Sequence, residues 1–286
     1  MKGALRPRGA WRRASAHKPC LEKDLNADMT RDGPSRIVCL SVEVADWLAR
    51  IGAWDRVAGV TAYYRVPEQL PLKPRVSGFS SANLEAILRL RPDLVILFSD
   101  VQADLAAQLV RRGCAVLVTN PRSLREVEET LGMLSRLVWK GVEGLHWLEE
   151  FRRRMQPCPP LPRPVRVYFE EWDEPLISGI AWISEMIERA GGQDIFAALR
   201  DRPRAADRVV RPEQVRAADP DLILASWCGK PTVVEQILAR PGWESISAVR
   251  RRAVYAVDPE GFLQPGYRLV EGYAVLRRLL EQTAHG

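Results

Sequence analysis

From Arg36 onward the apolar residues fall into two alternating arrangements. Short unbroken runs at 37–41 (IVCLS), 57–61 (VAGVT), 94–98 (LVILF) and 114–120 (CAVLVTN) have the length and β-branched content of strands buried on both faces. Between them, residues 44–52, 83–90 and 104–113 place apolar side chains three and four apart, the spacing of helices with one buried face. Residues 62–74, with Pro67, Pro71 and Pro74, read as a loop. Strand, helix, strand, helix, strand predicts an open parallel sheet with right-handed crossovers.

One unit of this pattern occurs twice. NLEAILRLRPDLVILF at 83–98 is echoed by RPEQVRAADPDLILA at 211–225. In each copy a glutamate, Glu85 or Glu213, stands seven residues before a Pro-Asp-Leu. Each copy gives a helix, a proline that ends it, and a buried strand. Around the second copy, 165–170 and 253–257 predict strands, and 182–192, 233–240 and 268–282 predict helices. Two copies in one chain imply two similar α/β lobes.

The stretch between them is different. Ser123 and Glu126 form a capping box, and 123–155 then runs without proline. Leu124, Val127, Leu131, Leu134, Val138, Val142, Leu145 and Leu148 make one stripe. A continuous helix of this length would be a rod of roughly 50 Å. The predicted organisation is a basic, disordered tail (1–34), an N-terminal α/β lobe (35–122), a long connecting helix (123–156) and a C-terminal α/β lobe (157–286). The fold class is α/β: two Rossmann-like lobes with parallel sheets, joined by one long backbone helix.

Composition alters this picture in two places. The formal charge is +6, but residues 1–31 hold eight basic side chains against three acidic ones, so the rest is close to neutral. A basic tail on a neutral body does not describe a nucleic-acid groove, and no nucleic-acid partner is expected. The tail also lacks the apolar core of a secretory signal, which predicts a cytoplasmic protein, or a periplasmic or cell-surface one if translation starts elsewhere. Five cysteines, widely spaced and without CxxC, imply neither a disulfide framework nor a zinc site.

In open α/β sheets ligands sit beyond the carboxyl ends of the strands. In the first lobe those positions hold Ser41 and Glu43, Tyr63 and Tyr64, Phe79 and Ser80, and Ser99 and Asp100. In the second they hold Glu171 and Trp172, Trp182 at the head of its helix, Trp227 and Cys228, and Phe262 and Gln264. The expected ligand contacts are Tyr63, Phe79 and Ser80 from one lobe, and Glu171, Trp172, Trp182, Trp227, Phe262 and Gln264 from the other. This aromatic and polar lining suits a large, flat, amphipathic ligand. Core packing is the competing role for each aromatic.

Catalytic signatures are missing: there is no GxSxG, GxxxxGK[ST], HExxH or GxGxxG, and His17, His146 and His285 are dispersed. No catalytic or metal-ligating residue is assigned, and no enzyme is predicted. The alternative is a cytosolic two-lobed enzyme for a tetrapyrrole-like or nucleotide-linked substrate, with Glu171, Asp173 or Cys228 as the reactive group. Glu85 and Glu213 have two compatible roles. Each complements a helix dipole from the first turn, worth about 0.3–1 kcal/mol. Matched carboxylates on two lobes would also fit a two-fold symmetric partner.

From Arg36 to about Gln282 the chain resembles the class III periplasmic substrate-binding proteins of metal-chelate ABC importers. The resemblance is carried by RIVCLSVEVADWLARIG, WDRVAGVT, NLEAILRLRPDLVIL, the long helix, EEWDEPLISGIAWISEMIERAGGQDIF and FLQPGYRLVEGYAVL, in that order. It implies two α/β lobes closing on cobalamin, haem or a ferric siderophore, with no covalent cofactor. EEWDEPLISGIAWISEMIERAGG looks most like the cobalamin-binding branch, so a corrinoid is the expected ligand. The resemblance further implies a monomer whose Glu85 and Glu213 dock on an ABC permease dimer. Where the family's first loop commonly reads SPSATE, this chain reads Ser41-Val42-Glu43-Val44-Ala45-Asp46.

Overall fold

The two Pro-Asp-Leu segments do the same work in two places. The Asp93 carboxylate accepts hydrogen bonds from the amides of Ser35 (2.7 Å) and Arg36 (3.0 Å), and its own amide donates to the Arg36 carbonyl (3.2 Å). The Asp221 carboxylate accepts from the Arg166 amide (2.9 Å), and its amide donates to the Arg166 carbonyl (2.8 Å). Each aspartate thereby pins the start of its own strand to the start of its lobe's first strand.

The computed structural model describes residues 33–78 and 82–285. Its first sheet contains β1 (Ile37–Cys39), β2 (Val57–Thr61), β3 (Arg75–Ser77), β4 (Leu94–Phe98) and β5 (Val116–Thr119). These are parallel, in the order β3-β2-β1-β4-β5. The helices of this lobe are α1 (Val42–Arg50), α2 (Leu84–Arg89) and α3 (Ala103–Arg111).

The predicted rod is instead a helical hairpin, α4 (Leu124–Leu137) and α5 (Gly141–Arg154). Trp139 adopts φ 57°, which reverses the chain at 138–140. The arms run antiparallel: Glu128 pairs with Arg152 at 2.8 Å, and Gly132 faces Leu148. Gly144 lies so close to Ser135 that a Cβ there would collide with it. The helical stripe is therefore broken. Leu124 to Val138 stay buried along one face, whereas Val142 is 83 % exposed and Leu145 51 % exposed on the second arm.

The second sheet contains β6 (Arg166–Asp173), β7 (Leu176–Ser178), β8 (Gln193–Asp194), β9 (Leu222–Ala225) and β10 (Val254–Ala256). The expectation of parallel sheets in both lobes holds for the first only. In the order β10-β9-β6-β7, strand β7 is antiparallel to β6, because a tight connection through Glu174 and Pro175 folds 166–178 into a β-hairpin; β8 pairs parallel with the start of β6. The helices here are α6 (Ala181–Arg189), α7 (Pro212–Ala218), α8 (Val234–Leu238), α9 (Ser247–Arg250), α10 (Pro259–Phe262) and the closing α11 (Leu269–His285).

The two-residue period of the strands sorts the core into three parts. Ile37, Cys39 and Ile96 of the first sheet and Val167, Phe169, Leu222 and Leu224 of the second face a shared middle core with α4, α5 and α11. Val38, Val95 and Leu97 face a core belonging to the first lobe, and Tyr168, Ile223 and Ala225 one belonging to the second. Trp47 ties α1 to the hairpin, its indole N–H donating to Leu131 O (2.9 Å) and Ser135 Oγ (3.0 Å).

Candidate ligand cleft

The strand ends of the first lobe finish in small hydroxyl residues. Ser41, Thr61, Ser77, Ser99 and Thr119 are all buried. Several are satisfied by neighbouring backbone: Thr119 donates to Leu97 O at 3.1 Å, Thr61 to Ser77 O at 3.4 Å, and Ser99, at φ 56°, accepts from the Val101 amide at 3.3 Å. Tyr63 is 51 % exposed just past β2, whereas Tyr64 is buried against Trp54. Phe79 and Ser80, both expected ligand contacts, lie outside the described residues.

The second lobe ends differently, because the β6–β7 hairpin carries Glu171, Trp172 and Asp173 beyond the end of β9, with Glu170 the last β6 residue paired to that strand. Each carboxylate has a cation. Glu170, fully buried, accepts from Arg240 (2.5 and 2.8 Å) and from the Trp227 indole (2.9 Å). Glu171 accepts from Arg208 (2.7 Å), a buried guanidinium that also donates to Ser178 O. Asp173 pairs with Lys230 at 2.6 Å, and that ammonium sits 4.3 Å from the Trp172 ring centre and 5.0 Å from that of Trp227. Three acids in four residues thus make a wall with little net charge.

The aromatics expected in the cleft divide into two groups. Trp172 is half-buried and Tyr63 is open. Trp182, Trp227 and Phe262 are packed inside, each 3 % exposed or less. The Trp182 indole donates to Phe262 O at 2.8 Å, and Phe262 stacks on Phe169 at 5.8 Å. These three are packing residues that brace the wall from behind, because each finds its polar or aromatic partner within the lobe. Gln264 is half-buried at the seam between lobes.

At that seam α1 meets the segment leading into α11. Tyr267 stacks on Trp47 (6.2 Å), and the Arg50 guanidinium lies 4.1 Å from the Tyr267 ring centre. A small cavity is lined by Val42, Glu43, Asp46, Glu260, Gln264 and Arg268, among others. Burial pushes the Glu43 carboxyl up to about 7; its own amide and the nearby Ser41 hydroxyl oppose this only in part. Among the described residues Glu43 Oε1 and Ser41 Oγ are buried without hydrogen-bond partners. Sequence reading placed Glu43 after β1 but did not make it a contact; its burial depends on Gly266, more than 200 residues away in the chain. Higher on the cleft, the carboxylates of Asp207, which bonds it, and of Asp100 in the first lobe both raise the Arg204 pKa.

Cys228 is an exposed residue with a partly buried thiol whose pKa rises, through desolvation and the charge of Glu171, the opposite of what a nucleophile needs. Among the described residues no group of three or more His, Cys, Asp or Glu could hold a metal ion, and no helix is long and apolar enough to cross a membrane.

Two α/β lobes, each with its own sheet and both packed on a shared middle core, define a bilobed α/β architecture. The chain belongs to the periplasmic binding protein family, whose model matches residues 37–260. It is 25 % identical over 268 residues to the uncharacterized ABC transporter substrate-binding lipoprotein YvrC of Bacillus subtilis, covering 86 % of this chain and 80 % of that one. It is also 25 % identical over 244 residues to the vitamin B12-binding protein of Vibrio cholerae, covering 82 % and 85 %. Among solved structures, the apo periplasmic heme-binding protein RhuT of Roseiflexus sp. RS-1 matches with a TM-score of 0.70 at 23 % identity, over 88 % of this chain and all of the other.

Proposed function

We propose that this chain is the substrate receptor of an ABC-type importer for a metal chelate, and that the chelate is cobalamin or another corrinoid. The family is one of binding proteins, and relatives matched along most of the chain are named for ABC transport and for vitamin B12. Those names, one a lipoprotein, favour a site of action outside the cytoplasm over the cytoplasmic one expected from the tail. The observation that carries the ligand choice is the paired wall of the second lobe. With Glu170, Glu171 and Asp173 each neutralised, the cleft offers an indole face and hydrogen-bonding groups without net charge. That suits a flat macrocycle with an amide-bearing rim better than a strongly charged chelate. Haem and ferric siderophores are the next ligands in order.

In this reading Trp172 and Tyr63 supply the aromatic contacts, and Glu171 and Gln264 the polar ones. Trp182, Trp227 and Phe262 hold the wall in shape. Glu85 and Glu213, both exposed in the first turns of α2 and α7, dock the lobes on the permease. The protein acts as a monomeric receptor and performs no covalent step: the acid nearest an enzymatic role, Glu171, is held by Arg208.

The test is a titration of the full chain with cyanocobalamin, followed by tryptophan fluorescence and calorimetry. Saturable one-to-one binding at about micromolar affinity or tighter is expected, weakened roughly tenfold by Trp172→Ala. Absence of both heat and saturable quenching would remove the corrinoid, and haemin and a ferric siderophore would then be titrated in its place.

A further inference from the structure

Glu43 is an acid in an unusual place. It occupies the first turn of α1, is 7 % exposed, and lies under the backbone of Gly266 so closely that a Cβ on that glycine would be 2.7 Å from the Glu43 Cβ. Gly266 belongs to the other lobe, since the segment it sits in leads into α11, which packs on α10 through Gly261 and Gly272. The surroundings give the carboxylate form little support: its own amide and the Ser41 hydroxyl favour it, and burial outweighs both. From β1 it faces the buried Cys39 thiol, whose pKa its charge helps to raise. On its own helix, Asp46 and Arg50 pair with each other at 3.7 Å, and Arg50 also lies over Tyr267 and Trp147. Across the seam Arg268 is engaged by Glu260 and, at 3.5 Å, by Glu271. Tyr64, further along, carries a buried hydroxyl without a partner. Among the described residues every cation near Glu43 is committed elsewhere, and the carboxyl lines a cavity too small for more than a water.

A buried, unpaired carboxylate is costly, and a carboxylic acid far less so. The cost disappears if Gly266 lifts away and water reaches the side chain. We propose that closure of the two lobes is proton-linked through Glu43, which is a carboxylic acid while the seam is shut and a carboxylate once it parts. The sign follows: the closed form binds the extra proton, so lower pH favours closure and higher pH favours opening. With the carboxyl near 7 when shut and at the ordinary 4.5 when open, the closed-to-open ratio should be about tenfold higher at pH 6 than at pH 8. Resting on the receptor reading above, ligand capture then takes up a proton and rising pH promotes release. Glu43 is a positioning residue in this scheme and touches no ligand.

The experiment is hydrogen exchange on the full chain without ligand, reading the amides of 264–272 from pH 6 to pH 8 after correction for intrinsic rates. Wild-type protection should fall about tenfold across that range. Glu43→Gln, neutral at every pH, should hold the low-pH protection throughout. Gly266→Ala, which forces the seam apart, should show the high-pH exchange already at pH 6. A wild-type profile flat with pH, or the same slope in Glu43→Gln, overturns the proposal, and the wild-type and Gly266→Ala arms decide it even if Glu43→Gln does not fold. Calorimetry with cyanocobalamin in two buffers of different ionisation heat then tests the ligand link: uptake of most of a proton near pH 6 in wild type, and none in Glu43→Gln. If the seam responds to pH but no corrinoid binds, the ligand reading fails and the proton-linked seam stands.

Discussion

Strands β1, β4 and β5 of the first lobe and β6, β9 and β10 of the second are laid out alike, each parallel and each pinned by the aspartate of its Pro-Asp-Leu. On the other side of the first strand the lobes diverge. In the first, the chain leaves β1 after three residues, enters α1 and returns as the parallel β2. In the second, β6 continues for eight residues and doubles back as the antiparallel β7. The difference decides what each wall of the cleft is made of. A short strand followed at once by a helix leaves small hydroxyls at the rim and places one acid, Glu43, beneath the opposite lobe. A long strand carried into a hairpin brings three acids, one buried in the sheet and two beyond the end of β9, and Arg240, Arg208 and Lys230 arrive from elsewhere to meet them. One scaffold thus yields a wall of small hydroxyls, only some of them bonded to neighbouring backbone, and an ion-paired aromatic one.

The largest effect should come from breaking that ion-paired wall at its most buried point. Arg240→Met leaves the buried Glu170 carboxylate without its guanidinium, and chemical denaturation should show a loss of about 3–5 kcal/mol. Pairing it with Glu170→Gln should restore much of that loss, because the uncompensated charge is gone. The matching change in the first lobe, Thr119→Val, removes one hydrogen bond to Leu97 O and should cost only about 1 kcal/mol. Equal losses in the two lobes would mean that the walls are not built on different principles.

A smaller effect should separate the two copies of the repeat. Asp221 is buried and engages the Arg166 amide and guanidinium, with Arg163 3.7 Å away; Asp93 makes comparable amide contacts at an exposed position. Thermal unfolding should therefore show Asp221→Asn costing about 1–3 kcal/mol and Asp93→Asn less than about 1 kcal/mol. A larger loss at Asp93 would reverse the assignment of the second lobe's anchor as the tighter one.

That repeat was also the most legible part of the sequence. Proline and aspartate before an apolar run mark both a helix end and a strand start, and both readings depend on local spacing alone. The hairpin between the lobes was not legible in that way. Its apolar stripe runs on through Val142 and Leu145, and no proline interrupts it; the reversal depends on Trp139 taking a left-handed conformation and on Gly144 allowing contact with Ser135, a tertiary fact. In the cleft, sequence position identified which residues end up near strand ends, but not which way they turn. Trp182 and Trp227 look like Trp172 in a linear reading. They differ in burial: the Trp182 and Trp227 indoles donate to Phe262 O and Glu170 in the interior, whereas that of Trp172 donates to Glu174 O within its own hairpin and leaves the ring half-buried beside Lys230.

The smallest structural effect should come from Glu85 and Glu213, for which the proposed docking role predicts a large functional one. They occupy equivalent first-turn positions, yet Glu85 forms an ion pair with Arg112 at 3.2 Å, whereas no ion pair to Glu213 occurs among the described residues. Both sites are exposed, so either change to alanine should alter stability by no more than about 0.5 kcal/mol. Ligand affinity should be unchanged in the double variant, since neither carboxylate lies at a strand end. Stimulation of the transporter should fall, because a two-fold symmetric permease would present a cation to each lobe. Glu213→Ala should be the more damaging single change, for Glu85 must first give up Arg112 to meet a partner. A double variant that binds its ligand more weakly would transfer these residues from the docking face to the fold itself, and the apparent symmetry between the lobes would then reflect the repeat alone.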